Sequence, residues 1–169
     1  MLLIDLIMIG AGNRGYFAYG EAVLSLDGAR VIAVAEPDEF RRERFARDHS
    51  IIPQNAVADW KSLLSRPKFA DGVIVASPET VHVEPAIEAL RSGYAVLLEK
   101  PVSADLNGIR HLISSGADTS RLFLAHVLRY SGFFKMIKSL LESEAIGKLI
   151  AVEYTEQVGY YHFAHSYVR

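Results

Sequence analysis

"IMIGAGNRGYFA", residues 7–18, places Gly10, Gly12 and Gly15 directly behind a run of apolar residues. The spacing is G-x-G-x-x-G, and it has a physical meaning where a buried strand turns into a helix. Gly10 permits a tight turn, Gly12 lets the backbone approach a pyrophosphate, and Gly15 lets helix and strand pack closely. The N-terminus of the following helix supplies N–H donors for phosphate oxygens. Three glycines also suit an ordinary close-packed loop, so the surrounding pattern has to carry the reading.

That pattern alternates short apolar runs with helical stretches. Strands are expected at residues 3–9, 31–35, 72–76, 95–98 and 122–125, and helices at 14–26, 38–49, 84–92 and 106–115. Near-continuous apolar strands separated by helices indicate a parallel sheet covered on both faces, an α/β fold of the doubly wound, Rossmann-like type. Gly93 is placed to end one helix in the left-handed region, and Pro85 fits only in that helix's first turn. The dinucleotide-binding domain is expected to run over residues 1–126. A further helix is expected at 133–143, and "LIAVEYTEQV", residues 149–158, alternates like a half-exposed strand. Residues 127–169 therefore read as a crossover helix and the first strand of a second, α+β domain whose remainder is missing. Strand edges left open in this way predict either a homo-oligomer that pairs them or an aggregation-prone tail.

Composition narrows the function. The 169 residues, half of them apolar, carry a formal charge of −2 from 20 acidic and 18 basic side chains, which offers no broad positive field for nucleic acid. Arg41, Arg42, Arg44 and Arg47 alternate with Glu39, Glu43 and Asp48, as on a solvated helix face. The longest apolar run is too short to span a bilayer and no leader pattern precedes it, so a soluble, cytoplasmic product without a membrane partner is expected. With no cysteine, thiolate nucleophiles and cysteine-bound metals are excluded.

The second expected strand ends on "VIAVAEPDEF", which sets Glu36 where a carboxylate can accept hydrogen bonds from an adenosine ribose and repel a 2′-phosphate. NAD is expected as cofactor in preference to NADP. The interval of 26 residues from Gly10 exceeds the usual one of about 20, with the extra turn residues of "SLDGARV" between. Arg41 or Arg42 reaching back is the route by which NADP would be accepted, and Glu36 also suits a helix cap. Ser77, Pro78 and Glu79 follow the next strand and, with His82, are expected to border the cofactor, although each also fits an exposed loop or cap.

"VLLEKPVSADL", residues 96–106, ends a core strand on Glu99, Lys100 and Pro101. A lysine on the crevice edge can donate to a substrate oxygen and exchange a proton as hydride moves at the attached carbon. Glu99 would orient that ammonium, and Pro101 would fix the backbone behind it. A surface ion pair before a helix explains the same letters equally well.

Taken in order, "GAGNRG", "AEPDEFRRERFA", "ASPETVHVEPAIEALRSGYAVLLEKP" and "IGKLIAVEYTEQVGYYHFAHSYVR" resemble the N-terminal portion of the glucose-fructose oxidoreductase, inositol dehydrogenase and rhizopine-catabolism family. The resemblance implies a NAD(P)-dependent oxidoreductase of a sugar, polyol or related substrate. It implies a phosphate loop of Gly10, Gly12, Asn13, Arg14 and Gly15, an acidic ribose ligand at Glu36, and cofactor-side positions at Glu99 and Lys100. Lys100 is implied as the catalytic or substrate-orienting residue. Aspartate is common in the family where Glu36 stands, and the chain ends before the region that normally supplies the family's acid/base residues.

Late in the chain, Tyr161, His162 and His165 suit hydroxylated ligands, or a packed aromatic cluster; two histidines with no third ligand of compatible spacing make a metal the weaker reading. Arg129 is a candidate for cofactor or substrate contact, or for a structural salt bridge. Three functions stay open: a NAD-linked sugar or polyol dehydrogenase, a redox-neutral glycoside hydrolase that holds NAD, and a non-catalytic dinucleotide-binding fragment.

Overall fold

The computed structural model describes residues 3–160 and 163–164 and divides the chain into two compact units, Met1–His126 and Val127–Arg169. In the first unit, six parallel strands stand in the order β3-β2-β1-β4-β5-β6. They are β1 (Ile4–Ile9), β2 (Ala29–Ala35), β3 (Ala56–Val57), β4 (Gly72–Val75), β5 (Ala95–Leu98) and β6 (Leu122–Leu124). This is the doubly wound order in which strand sequence reverses between β1 and β4.

The apolar runs are continuous because successive side chains serve opposite layers. Ile7, Ile9, Val73 and Val75 pack with Ile87 and Leu90 of α4 (Val83–Arg91) and with Tyr94 and Leu112. Met8 and Ile74, between them in sequence, pack on the other face with Val31, Val34 and Phe45, the last from α2 (Glu39–Asp48). Coverage thins toward β6, where Phe123 is 57% exposed.

Local chemistry sets the helix ends. Asp38 caps α2 by accepting from the Arg41 N–H at 2.9 Å, and Asp105 caps α5 (Leu106–Ser114) by accepting from Gly108 at 2.8 Å. α4 carries Pro85 in its first turn and stops at Gly93, with φ +79°.

Two expectations are corrected, and two short elements go beyond them. The helix behind the glycines is a π-helical segment, Arg14–Gly20, in which the Glu21 N–H reaches back five residues to the Tyr16 carbonyl, and it continues only as the single turn α1 (Glu21–Leu24). β3 is too short to announce itself by alternation; α3 (Lys61–Leu64) likewise is a single turn. In the second unit, α6 (Gly132–Glu142) forms, capped by Ser131, but residues 149–159 carry no regular structure. The alternation at 149–158 finds no ladder partner among the described residues, and an unpaired strand gains nothing over solvated backbone. No described helix is long and apolar enough to cross a membrane.

His49, which follows α2, stacks on Phe45 with ring centroids 4.2 Å apart, and burial pushes its pKa below 6.5. The unfolded chain therefore takes up a proton that the folded state resists. The resulting stability is fully present above pH 6.5 and falls as pH drops through 6.5 toward the folded value. Urea midpoints should decline between about pH 7.5 and about pH 5.5, and part of the decline should vanish in His49→Gln, which does not titrate. Identical pH profiles for the two proteins would show that His49 contributes none of it.

Candidate functional site

Parallel register brings the candidate residues to one edge of the sheet. Ile9 pairs with Val75, and Val75 with Leu98, so the chain leaves β1, β4 and β5 side by side. The alignment persists past the strands: Ala76 donates its N–H to the Ile9 carbonyl at 2.8 Å, Glu99 to Val75 at 2.9 Å, and Gly10 to Ala35 at 2.9 Å. The glycine loop, the Ser77 loop and the Glu99-Lys100 loop thus share the crevice edge at the reversal of strand order, where open α/β sheets bind ligands.

Each glycine in the motif answers to a different neighbour. Gly10 turns at φ +91°, and a Cβ there would sit 2.6 Å from the Ser77 nitrogen. A Cβ on Gly15 would lie 2.0 Å from the Gly10 carbonyl oxygen, so only glycine lets the helix start rest on the end of β1. Gly12 differs: its Cβ would meet only Arg41 Nη1, at 3.8 Å. Protein packing does not require glycine there, whereas a close-approaching ligand would. Asn13, at the helix start, makes no side-chain cap, in contrast to Asp38 and Asp105. Its end of the helix keeps backbone donors for an anion.

Glu36 is buried at the end of β2, and both carboxylate oxygens are engaged by backbone. Oε2 accepts from the Ala11 N–H at 2.7 Å and Oε1 from the Asp38 N–H at 3.1 Å. The acidic side chain therefore ties the glycine loop to the β2 end and keeps lone pairs for a ribose. Arg42 donates to the Glu36 and Pro37 carbonyls, at 2.8 and 3.2 Å.

After β4, the Ser77 hydroxyl is a buried oxygen without a hydrogen-bond partner among the described residues. An unpartnered buried hydroxyl on a residue whose backbone abuts the glycine turn, together with the open approach at Gly12, fits a dinucleotide cradle. Pro78 and Glu79 are exposed. His82 is only 2% exposed; Nε2 lies 2.7 Å from the Ser77 carbonyl oxygen and Nδ1 2.8 Å from that of Pro101. The ring joins the two crevice loops and has no nitrogen left for a ligand.

The expected Glu99–Lys100 ion pair is corrected. Glu99, 5% exposed, receives Arg14 Nε and the Tyr19 hydroxyl on Oε1, each at 2.8 Å, while Oε2 accepts the backbone N–H of Lys100 at 2.8 Å. The Lys100 side chain is exposed and its ammonium has no carboxylate partner among the described residues. Lys100 and Pro101 are joined by a cis peptide bond. Arg14 consequently serves Glu99. Tyr19, which sequence reasoning missed, serves it too; burial, then the hydrogen bond to Glu99, raises the phenol pKa well above its usual 10 and keeps it a donor. Arg129 is exposed on the short 3₁₀ turn Val127–Tyr130 of the second unit. Tyr161, His162 and His165 lie outside the described residues.

Residues 4–126 match the model of the GFO_IDH_MocA oxidoreductase family, described as an NAD-binding Rossmann fold. The chain belongs to this family. NAD is the family's cofactor, as Glu36 and the glycine motif led one to expect. The chain is 29% identical over 158 residues to the inositol 2-dehydrogenase of Streptomyces avermitilis, covering 92% of this chain and 45% of that protein. It is 28% identical over 141 residues to the 2,7-anhydro-N-acetylneuraminate hydratase of Mediterraneibacter gnavus, covering 82% and 36%. The crystal structure of scyllo-inositol dehydrogenase from Lactobacillus casei, with bound NAD(H) and scyllo-inositol, superimposes with a TM-score of 0.77 at 18% identity, covering 86% and 43%. The chain thus spans less than half the length of these relatives.

Because Gly12 is open to a side chain in the folded protein, Gly12→Val should leave the circular dichroism spectrum and the melting temperature close to wild type. It should weaken NAD binding by about a hundredfold or more, by blocking pyrophosphate approach. Calorimetric titration decides: unchanged NAD affinity removes this loop as the cradle.

Proposed function

We propose that this chain supplies the cofactor-binding part and the substrate-facing lysine of an NAD-dependent oxidoreductase acting on a sugar, polyol or related hydroxylated compound. The observation that carries the proposal is the placement of an exposed Lys100, without a carboxylate partner among the described residues, on the same sheet edge as the glycine loop and Ser77. Bound NAD would supply a two-electron acceptor for an alcohol or, reduced, a donor to a carbonyl.

The chain's own residues would do the rest. Gly12 and the N–H groups at Asn13 admit and hold the pyrophosphate, Glu36 takes the adenosine ribose, and the Ser77 hydroxyl gains a partner on the cofactor side. Lys100 donates to the substrate oxygen as a carbonyl gains electrons, or stabilises that oxygen as its proton leaves. An ammonium whose charge is not already neutralised by a carboxylate can meet charge that develops only in the transition state. The similarity to an inositol dehydrogenase supports a cyclic polyol as substrate class. The similarity to a hydratase supports a second reading, in which the site adds or removes water without net oxidation.

Incubation with NAD and a panel of inositols and sugars, followed by NADH absorbance and by product analysis, separates the two. Net NADH supports the first; product without net NADH supports the second. Whichever holds, Lys100→Ala should lower turnover by about a hundredfold or more while NAD affinity stays within about twofold. Equal turnover in the variant would remove Lys100 from the chemistry. NAD should bind more tightly than NADP by about tenfold or more because a 2′-phosphate would meet the Glu36 carboxylate, and tighter NADP binding would overturn that assignment.

A further inference from the structure

Glu99 is an almost fully buried carboxylate, and such a charge is costly to hold unless strong donors converge on it. Three donors do: Arg14 Nε, the Tyr19 hydroxyl and the Lys100 backbone N–H. Two of them rise from the helical segment that carries the last glycine of the motif, with Arg14 inside the motif itself. The third belongs to the residue whose side chain faces the substrate in the function proposed above. One carboxylate therefore has the glycine loop on one oxygen and the lysine loop on the other.

The π-helical winding makes this arrangement available. Five residues turn an α-helix by about 500°, which would leave the side chains at 14 and 19 about 140° apart. In the segment Arg14–Gly20, the wider π winding brings Arg14 and Tyr19 onto one face, and both reach the same oxygen.

We propose that Tyr19 is a positioning residue for Lys100: with Arg14 it holds Glu99 so that the carboxylate fixes the Lys100 backbone and couples it to occupancy of the glycine loop. Tyr19 touches neither substrate nor cofactor in this scheme. Its hydroxyl acts through Glu99, whose second oxygen sets where the lysine backbone lies, while the Lys100 ammonium has no carboxylate partner among the described residues.

The inference rests on the reading of the glycine loop as an NAD cradle, and the test separates the two. Amide hydrogen exchange, followed residue by residue by NMR on the full chain with and without saturating NAD, reports on the Lys100 N–H that Glu99 holds. Without NAD, Tyr19→Phe, which keeps the ring, and Glu99→Gln, which keeps the shape, should each speed exchange at Lys100 by about fivefold or more. Tyr16→Phe, on the same helical segment but bonded to Asp48, should leave it unchanged. NAD should slow exchange at Lys100 in wild type by about threefold or more, and Tyr19→Phe should bind NAD within about twofold of wild type yet lose most of that response. Wild-type exchange at Lys100 in both Tyr19→Phe and Glu99→Gln overturns the proposal, as does a full NAD response in a folded Tyr19→Phe. If wild type binds no NAD, the cradle reading and the coupling both fall, and the ligand-free exchange rates alone decide whether Tyr19 positions Lys100.

Discussion

A central parallel strand must give its backbone groups to neighbours on both sides, and β1 does so between β2 and β4. Everything at the site depends on that pairing. It brings the turn after β1 so close to the chain leaving β4 that a side chain at Gly10 would collide with the Ser77 backbone. The same crowding forces glycine at position 15, where the helix start rests on the Gly10 carbonyl. Two of the motif's glycines are therefore conditions of the fold. Gly12 alone stands free of that demand, so it is the one whose missing side chain points to a ligand.

Electrostatics at the crevice follow from where carboxylates are buried. Both Glu36 and Glu99 end strands, and both are held by backbone N–H groups of the loops beside them. A charged acceptor that collects several donors makes stronger hydrogen bonds than a neutral one. Each glutamate thus acts as a rivet between a strand end and a loop. Glu36 ties down the glycine loop, Glu99 ties down Lys100, and His82 fastens the Ser77 loop to Pro101. The edge is built from mutually bonded turns, which is how a set of loops can present a lysine in a defined place.

Much of this was legible in the letters. The strand positions followed from apolar runs bounded by turn residues, and β5 was delimited to the residue. The ends of α4 followed from Pro85 and Gly93, whose backbone restrictions are intrinsic. The helix behind the glycines was placed but its winding was not, because hydrophobic periodicity assumes 3.6 residues per turn. That one assumption hid Tyr19. The alternation at residues 149–158 misled for a complementary reason: a period of two records which side chains would share a face, and says nothing about whether a neighbouring strand exists to accept the backbone.

By itself, the sequence determined the fold class and the cofactor class, since each rests on short-range patterns: strand-helix alternation, glycine spacing, and a carboxylate at a strand end. Only the tertiary structure decided who pairs with whom. Glu99 and Lys100 are adjacent in the chain and opposite in charge, which invites pairing them, yet burial turns the carboxylate inward to Arg14 and Tyr19 while the lysine side chain stays in solvent. The partners of a buried charge are chosen by which donors the packed elements bring to it, and those donors stand 80 and 85 positions away along the chain. No local pattern encodes that distance; it is set when β1 and β5 close around β4.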